Sequence, residues 1–159
     1  MPMPTFDQIS TLLAQRDGAL FWRSDWHGYK AGDPAGFVDG QGYRRVGLFG
    51  KHFQAHRIVW MLVHGEWPTG DLDHINGVPG DNRIENLRIA TSSQNAANRR
   101  IERSLPKGVT RHKCGRFQVM CGNQYIGLFK DPEAAGRAYD VAAVRKYGEF
   151  AKTNFGDVQ

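Results

Sequence analysis

Cysteine is scarce: Cys114 and Cys121 are the only two in 159 residues. That is too few for the four-thiolate frameworks of structural zinc and for the disulfide scaffolds of small secreted domains. Long apolar runs are missing as well. The longest, IVWMLV, has six residues, far below the roughly 20 that span a bilayer, so no transmembrane helix and no membrane partner is expected. The opening MPMPTFDQIS has neither a basic leader nor an apolar signal core, which leads to the expectation of a cytoplasmic protein. No long-period repeat and no low-complexity tract is visible. With 40% hydrophobic and 23% charged residues, the chain can bury one real core or two small ones.

What is present is a modest excess of positive charge, +5 overall with a pI near 9.4. Its distribution is uneven. Arg99, Arg100, Arg103, Lys107, Arg111, Lys113 and Arg116 face only Glu102 in the same stretch, a cluster that a polyanion could neutralise and that a solvated linker would also explain.

Along the chain, FDQISTLLAQ has a short amphipathic pattern, followed by the aromatic segment LFWRSDWHGY and a loop rich in Gly, Asp and Pro. YRRVGLFGKHFQAH alternates about a Phe-Gly turn and predicts a β-hairpin, on which Arg45 and Lys51 are candidate phosphate contacts. Residues 56–67 have apolar positions at helical spacing and stop at Gly and Pro. Residues 72–75 and 86–90 read as strands about a loop at 76–82, and Thr91 with Gln94 forms a helix-capping pattern. SLPKG breaks the pattern within a linker of residues 100–107. Three strand candidates follow, GVTRHK, RFQVMCG and QYIGLF, then a helix with Asp131 as its N-cap, Pro132 in its first turn and Gly148 at its end.

The stretch DHINGVPGDNRIENLRIATSSQN, residues 73–95, carries the chemistry. A strand-loop-strand-helix unit would set Asp73 and His74 opposite the start of a helix bearing Asn95. Asp73 offers a hard anionic oxygen and Asn95 an amide oxygen, which suits one divalent ion of the magnesium type completed by water and phosphate oxygens. Alternation turns His74 to the other strand face, toward a water rather than the metal. Phosphodiester hydrolysis asks for a base of near-neutral pKa beside charge neutralisation at the phosphate and the leaving 3′-oxygen. Asn86 is placed to hold the second ring nitrogen through a carbonyl. Asn76, Asp81 and Asn82 read as turn formers, and Arg83 and Arg88 as surface charges. His27, His52 and His64 read as structural, while His56 either packs on the hairpin or lies near the site.

D-H-I-N-G, then D-N-R-I-E-N-L-R, then S-Q-N closely resembles the HNH nuclease family, in the variant whose third signature residue is asparagine. AHRIVW followed by GEWP resembles the flank of its phage and intron-encoded members. The resemblance covers about residues 43–99. It implies the ββα-metal fold, His74 as general base, Asn86 as the residue that positions it, and Asp73 with Asn95 as ligands of one Mg2+ or Mn2+. The added cysteines of zinc-stabilised members are absent, so no structural zinc is expected.

Residues 107–155 resemble the plant Apetala/ethylene-response-factor type DNA-binding domain, through RFQV, IGLF, AYDVAA and GEFAKTNF. In that family a three-stranded sheet lies in the major groove with a helix behind it. In RFQVMC a polar face of Arg116, Gln118 and Met120 alternates with Phe117, Val119 and Cys121, which are expected to pack on Ala135, Ala138 and Ala142. The family's contact positions fall on Thr110, His112, Arg116, Met120 and Tyr125. Arg111 and Lys113 add phosphate charge, and Gln118 is a candidate for an adenine edge. Plant members fill several of these places with arginine or tryptophan, so their base preferences do not carry over.

The sequence therefore predicts an α+β protein: a ββα-metal nuclease domain over residues 1–99, a basic linker over 100–107, and a small three-stranded antiparallel sheet with one packed helix over 108–159. The expected activity is metal-dependent cleavage of double-stranded DNA by a homing-type endonuclease, in a bacterial host cytoplasm if phage-encoded. Arg99, Arg100 and Arg103 join Arg45 and Lys51 as expected DNA contacts. A catalytically inactive DNA-binding regulator on the same fold is the alternative, and monomer or homodimer stays open.

Overall fold

The computed structural model describes residues 3–99 and 104–156. Arg100 and Arg103 lie outside the described residues. The chain is α+β, with helices and several small antiparallel sheets, and divides into two compact units, residues 1–91 and 92–159. Among the described residues no helix is long and apolar enough to cross a membrane.

In the first unit, helix α1 (Phe6–Leu12) starts on a capping box: the Thr5 side chain takes the Gln8 amide and the Gln8 side chain takes the Thr5 amide. Strands β1 (Leu13–Arg16) and β2 (Ala19–Trp22) form a hairpin closed by Asp17 and Gly18, both at positive φ. The sequence pattern suggests no strand there. Strands β3 (Phe37–Val38), β4 (Arg44–Leu48) and β5 (Lys51–Gln54) pair in that order, with β4 and β5 as the expected hairpin. Helix α2 (Ala55–His64) ends where Gly65 adopts a left-handed φ of 80°. Its Ala55, Ile58 and Val59 are fully buried, at the i, i+3, i+4 spacing of an apolar stripe, against Ile9, Leu13, Leu20, Val46 and Leu48. Each such branched side chain contributes about 1.5–3 kcal/mol of burial.

Arg57 on α2 donates through Nη1 to the Gly70 carbonyl at 3.0 Å and through Nη2 to that of Pro68 at 3.3 Å, fixing the segment that leads into strand β6 (Asp71–His74). Strand β6 then pairs antiparallel with β7 (Leu87–Ala90), with Asp73 opposite Arg88 and His74 opposite Leu87. Residues 84–86 form a 3-10 turn ahead of β7, so Asn86 closes a turn and does not open the strand as its position in the sequence suggests.

The second unit begins with helix α3 (Ser92–Asn98). Strands β8 (Val109–Arg111), β9 (Phe117–Cys121) and β10 (Gln124–Phe129) form an antiparallel sheet with β9 in the middle, and helix α4 (Pro132–Tyr147) packs on one face. Asp131 caps α4 by accepting the Ala134 amide at 2.7 Å, with Pro132 in the first turn. Alternation buries Phe117, Val119 and Cys121 as expected, and Val109 of β8 joins them. The helix meets them with Ala135, Tyr139 and Ala143, at i, i+4, i+8, while Ala142 is partly buried at the margin. The seam thus runs through Tyr139 rather than the expected Ala138, which is half-buried. Gly108 is required beneath Tyr139, since a Cβ there would overlap its ring.

The buried Asp140 closes this unit. Its carboxylate accepts the Asn154 amide at 2.8 Å, Asn154 Nδ2 at 2.9 Å and the Phe155 amide at 3.1 Å. Asn154 in turn accepts the Lys107 amide at 2.6 Å, so the GEFAKTNF segment is tied to both the helix and the entrance of the sheet. Lys107 Nζ donates to the carbonyls of Ala97 and Arg99 at the end of α3, where helix carbonyls lack partners.

Candidate active site

Strand β6 delivers Asp73 and His74, 3% and 5% exposed. A carboxylate so buried needs a counter-charge, and the register supplies one: Arg88, directly across the ladder, donates from Nε at 2.9 Å and lies 2.9 Å away through Nη2, both on Asp73 Oδ2. Arg88 is therefore not the surface charge that its sequence context suggests; its side chain is 13% exposed.

His74 has a different set of neighbours. Its Nε2 lies 3.0 Å from Asn82 Oδ1. With that oxygen accepting, Nε2 carries a ring proton, which in the neutral tautomer leaves the lone pair on Nδ1. The His56 ring stands edge-on at 5.0 Å, and the Tyr43 ring lies at 6.0 Å from His74 and 5.9 Å from His56. His56 thus does both things left open by the sequence: it sits in the first turn of α2 and touches the hairpin residue Tyr43 as well as His74.

Asn86 organises the loop between the strands. Its Oδ1 accepts the Asn76 amide at 3.0 Å, and its Nδ2 donates to Asn76 Oδ1 at 3.1 Å and to the Asp81 carbonyl at 2.7 Å. Its carbonyl accepts the Ile75 amide at 2.9 Å. These bonds fix the loop that ends in Asn82, the residue on the His74 ring. Asn76 and Asp81 are turn formers as expected: Asn76 accepts the Val78 amide, and Asp81 holds Arg83 through both carboxylate oxygens. The Arg83 guanidinium holds the Asp81 carboxyl well below the usual carboxylate range.

Asn82 reads from sequence as one more turn residue, and only the fold reveals its second role. It is 4% exposed, and the Asp17–Gly18 turn of the first hairpin packs on its backbone. Any side chain at position 18 would overlap the main chain of Asn82 and Arg83.

Burial of His56, reinforced by the charges of His74 and Arg57, pushes its imidazole from 6.5 down to about 3. A folded value below the unfolded one means that the unfolded chain takes up the proton first as pH falls. The contribution of neutral His56 is whole above pH 6.5 and drains away toward about pH 3. Urea unfolding at stepped pH is expected to show a loss of up to about 1.4 kcal/mol per pH unit from this residue across that window, and His56→Phe should flatten the slope.

Asn95 lies half-buried on α3, in the second unit. Among the described residues no group of three His, Cys, Asp or Glu side chains converges as a metal cage. Of the expected DNA contacts, Lys51 and Arg99 are exposed, whereas Arg45 donates from Nε to Asp39 at 2.7 Å.

On the open face of the second sheet, Thr110, Gln118 and Leu128 form one cross-strand row, and Met120 with Tyr125 a second. Tyr125 is 54% exposed. Lys113 and Arg116 are exposed in and beside the turn between β8 and β9, and His112 Nδ1 lies 2.9 Å from Cys114 Sγ. Arg111 shares its parity with buried Val109 and sets its guanidinium 5.1 Å over the Phe117 ring, which separates it from the Thr110 row.

Residues 53–97 match the family model described as HNH endonuclease. The curated relatives are of another kind. APETALA2-like protein 2 of Oryza sativa subsp. indica is 47% identical over 55 residues, 31% of this chain and 13% of that protein. AP2-like ethylene-responsive transcription factor ANT of Arabidopsis thaliana is 46% identical over 59 residues, 33% of this chain and 11% of that protein. The chain thus matches only about an eighth of the length of these relatives. No solved structure matches. The matches suggest nuclease activity and DNA binding, and they support an HNH domain together with an APETALA2-like region.

Proposed function

We propose that the protein is a metal-dependent endonuclease acting on double-stranded DNA, of the homing type encoded by phages or introns, with His74 as its general base. The observation that carries this is the buried Asp73–His74 pair at the end of the β6–β7 ladder, each side chain held by its own partner within the segment that matches the HNH model. Strands β6 and β7 followed by α3 have the element order of a ββα-metal unit.

The donor set fits a magnesium-type ion in its chemistry. Asp73 is a hard anionic oxygen donor braced by a guanidinium, as ligating carboxylates commonly are, and Asn95 adds an amide oxygen. One Mg2+ or Mn2+ so held would supply charge neutralisation at the scissile phosphate and the leaving 3′-oxygen. The protein's own residues do the rest. His74, oriented by Asn82, takes the proton of the attacking water, while Asn86 acts as a positioning residue by fixing the loop that carries Asn82.

In this reading residues 1–99 are the nuclease domain, 100–107 a basic linker, and 108–159 a module that lays its sheet face on DNA. Thr110, His112, Arg116, Gln118 and Tyr125 are its contact residues, and Arg111, Lys113 and Arg99 supply phosphate charge. Lys51 adds a contact from the hairpin, and Arg45 would have to exchange Asp39 for phosphate. The site of action is the cytoplasm, and a monomer would nick where a dimer would cut both strands.

The transcription-factor name of the Arabidopsis relative favours one alternative, a DNA-binding regulator without catalysis. Supercoiled plasmid separates the two. Relaxed or linear product is expected with Mg2+ or Mn2+ and none with EDTA, whereas a gel shift without product in any metal would establish the regulator.

A further inference from the structure

The hairpin of β4 and β5 turns through Phe49 and Gly50, at φ 52° and 75°. Such two-residue turns favour Asn or Asp before Gly, because a bulky side chain is strained in the left-handed region. Burial does not offset the strain, since Phe49 stays 42% exposed. His27, also at positive φ (44°), comes to the same place. Both line an open cavity of about 400 Å3 together with Trp26, Lys51, His52 and the bare backbone of Gly47.

Strain retained at two neighbouring positions, with exposed rings as its product, points to a site rather than to the stability of the hairpin. Trp26 forms one wall, its ring edge-on to His27 at 4.8 Å and to Phe49 at 6.3 Å. His52 is braced edge-on by Phe37 at 5.4 Å. Among the described residues the lining holds no carboxylate and Lys51 makes no salt bridge. Flat apolar rings beside a lysine suit a planar base attached to a phosphate. A protein segment would ask for aliphatic walls in place of imidazoles and lysine.

We propose that this cavity binds an unstacked base of a DNA strand, with Trp26 and Phe49 against the base and Lys51 on a neighbouring phosphate. The choice of ligand rests on the nuclease reading. The site uses none of the residues assigned to hydrolysis and gives the enzyme a hold on a locally opened strand.

The test uses the full chain in EDTA and fluorescence anisotropy with labelled oligothymidylate. Phe49→Asn is the informative variant, because asparagine tolerates the left-handed turn better than phenylalanine. A role in binding predicts opposite signs: affinity for the oligonucleotide falls roughly 5- to 150-fold, the range of one lost base stack, while the melting temperature holds or rises. Lys51→Ala should reduce the salt dependence by about one phosphate contact. Unchanged affinity in Phe49→Asn, a fall in stability that accompanies the fall in affinity, or no binding of oligothymidylate by the parent overturns the proposal. Plasmid cleavage by the parent, measured in parallel with Mg2+, reports the nuclease reading separately. Cleavage with unaltered oligonucleotide affinity in Phe49→Asn removes only the base site, and affinity loss without parental cleavage removes only the nuclease.

Discussion

His74→Ala is expected to lower plasmid cleavage by about 10^2- to 10^4-fold or more, the range in which a positioned general base contributes. Gel-shift affinity for duplex DNA should stay within about twofold, because the salt-dependent attraction to phosphate comes from lysine and arginine, which the variant keeps. The ring also packs with buried His56 and half-buried Tyr43, so a thermal melt must accompany the assay. Loss of cleavage with binding and folding retained supports the base. Cleavage by His74→Ala equal to that of the parent would sink it, and the lone pair would have to be sought elsewhere. Asn82→Ala should show a smaller defect in turnover with little change in binding, since it removes the partner of Nε2 and leaves the ring in place.

The second large effect concerns Asp73. Asp73→Ala removes the carboxylate that the Arg88 guanidinium, 13% exposed, pairs with across the ladder. Removing one member of a buried ion pair typically destabilises by about 3–5 kcal/mol, whereas replacing both with apolar groups of similar volume is often neutral or better. Urea unfolding should therefore show a marked loss for Asp73→Ala and recovery in Asp73→Leu combined with Arg88→Met. Metal-dependent cleavage should be absent from both. That divergence would separate ion pairing from the proposed metal ligation, because stability can be repaired by hydrophobic packing and a metal ligand cannot. Cleavage restored in the double variant would remove Asp73 from the metal site. A single variant as stable as the parent would show that the cross-strand pair contributes nothing.

Much of this protein follows from local pattern. The apolar stripe of α2, its stop at Gly65, the Asp131–Pro132 start of α4 and the in-out alternation of β9 depend on neighbours a few residues away, so sequence alone specifies them. The first hairpin is harder to read, although Asp17–Gly18 is a strong turn signal: its strands are four residues each, too short for alternation to stand out beside the helical pattern that runs into them. Asp73, His74 and Asn86 stand out because they lie within a spaced polar motif.

What the tertiary structure decided are the contacts made between elements distant in sequence. Arg88 is an internal ion partner only because the β6–β7 register sets it opposite Asp73. Asn82 is one Asx residue among several in its loop until folding brings its amide to His74, eight residues back. His56 and Tyr43 reach the same ring, one from α2 and the other from just ahead of β4, across separations that no periodicity encodes. Sequence determined which groups could do chemistry. The fold decided which partners hold them, since charge pairing and ring orientation depend on distance in space and not along the chain.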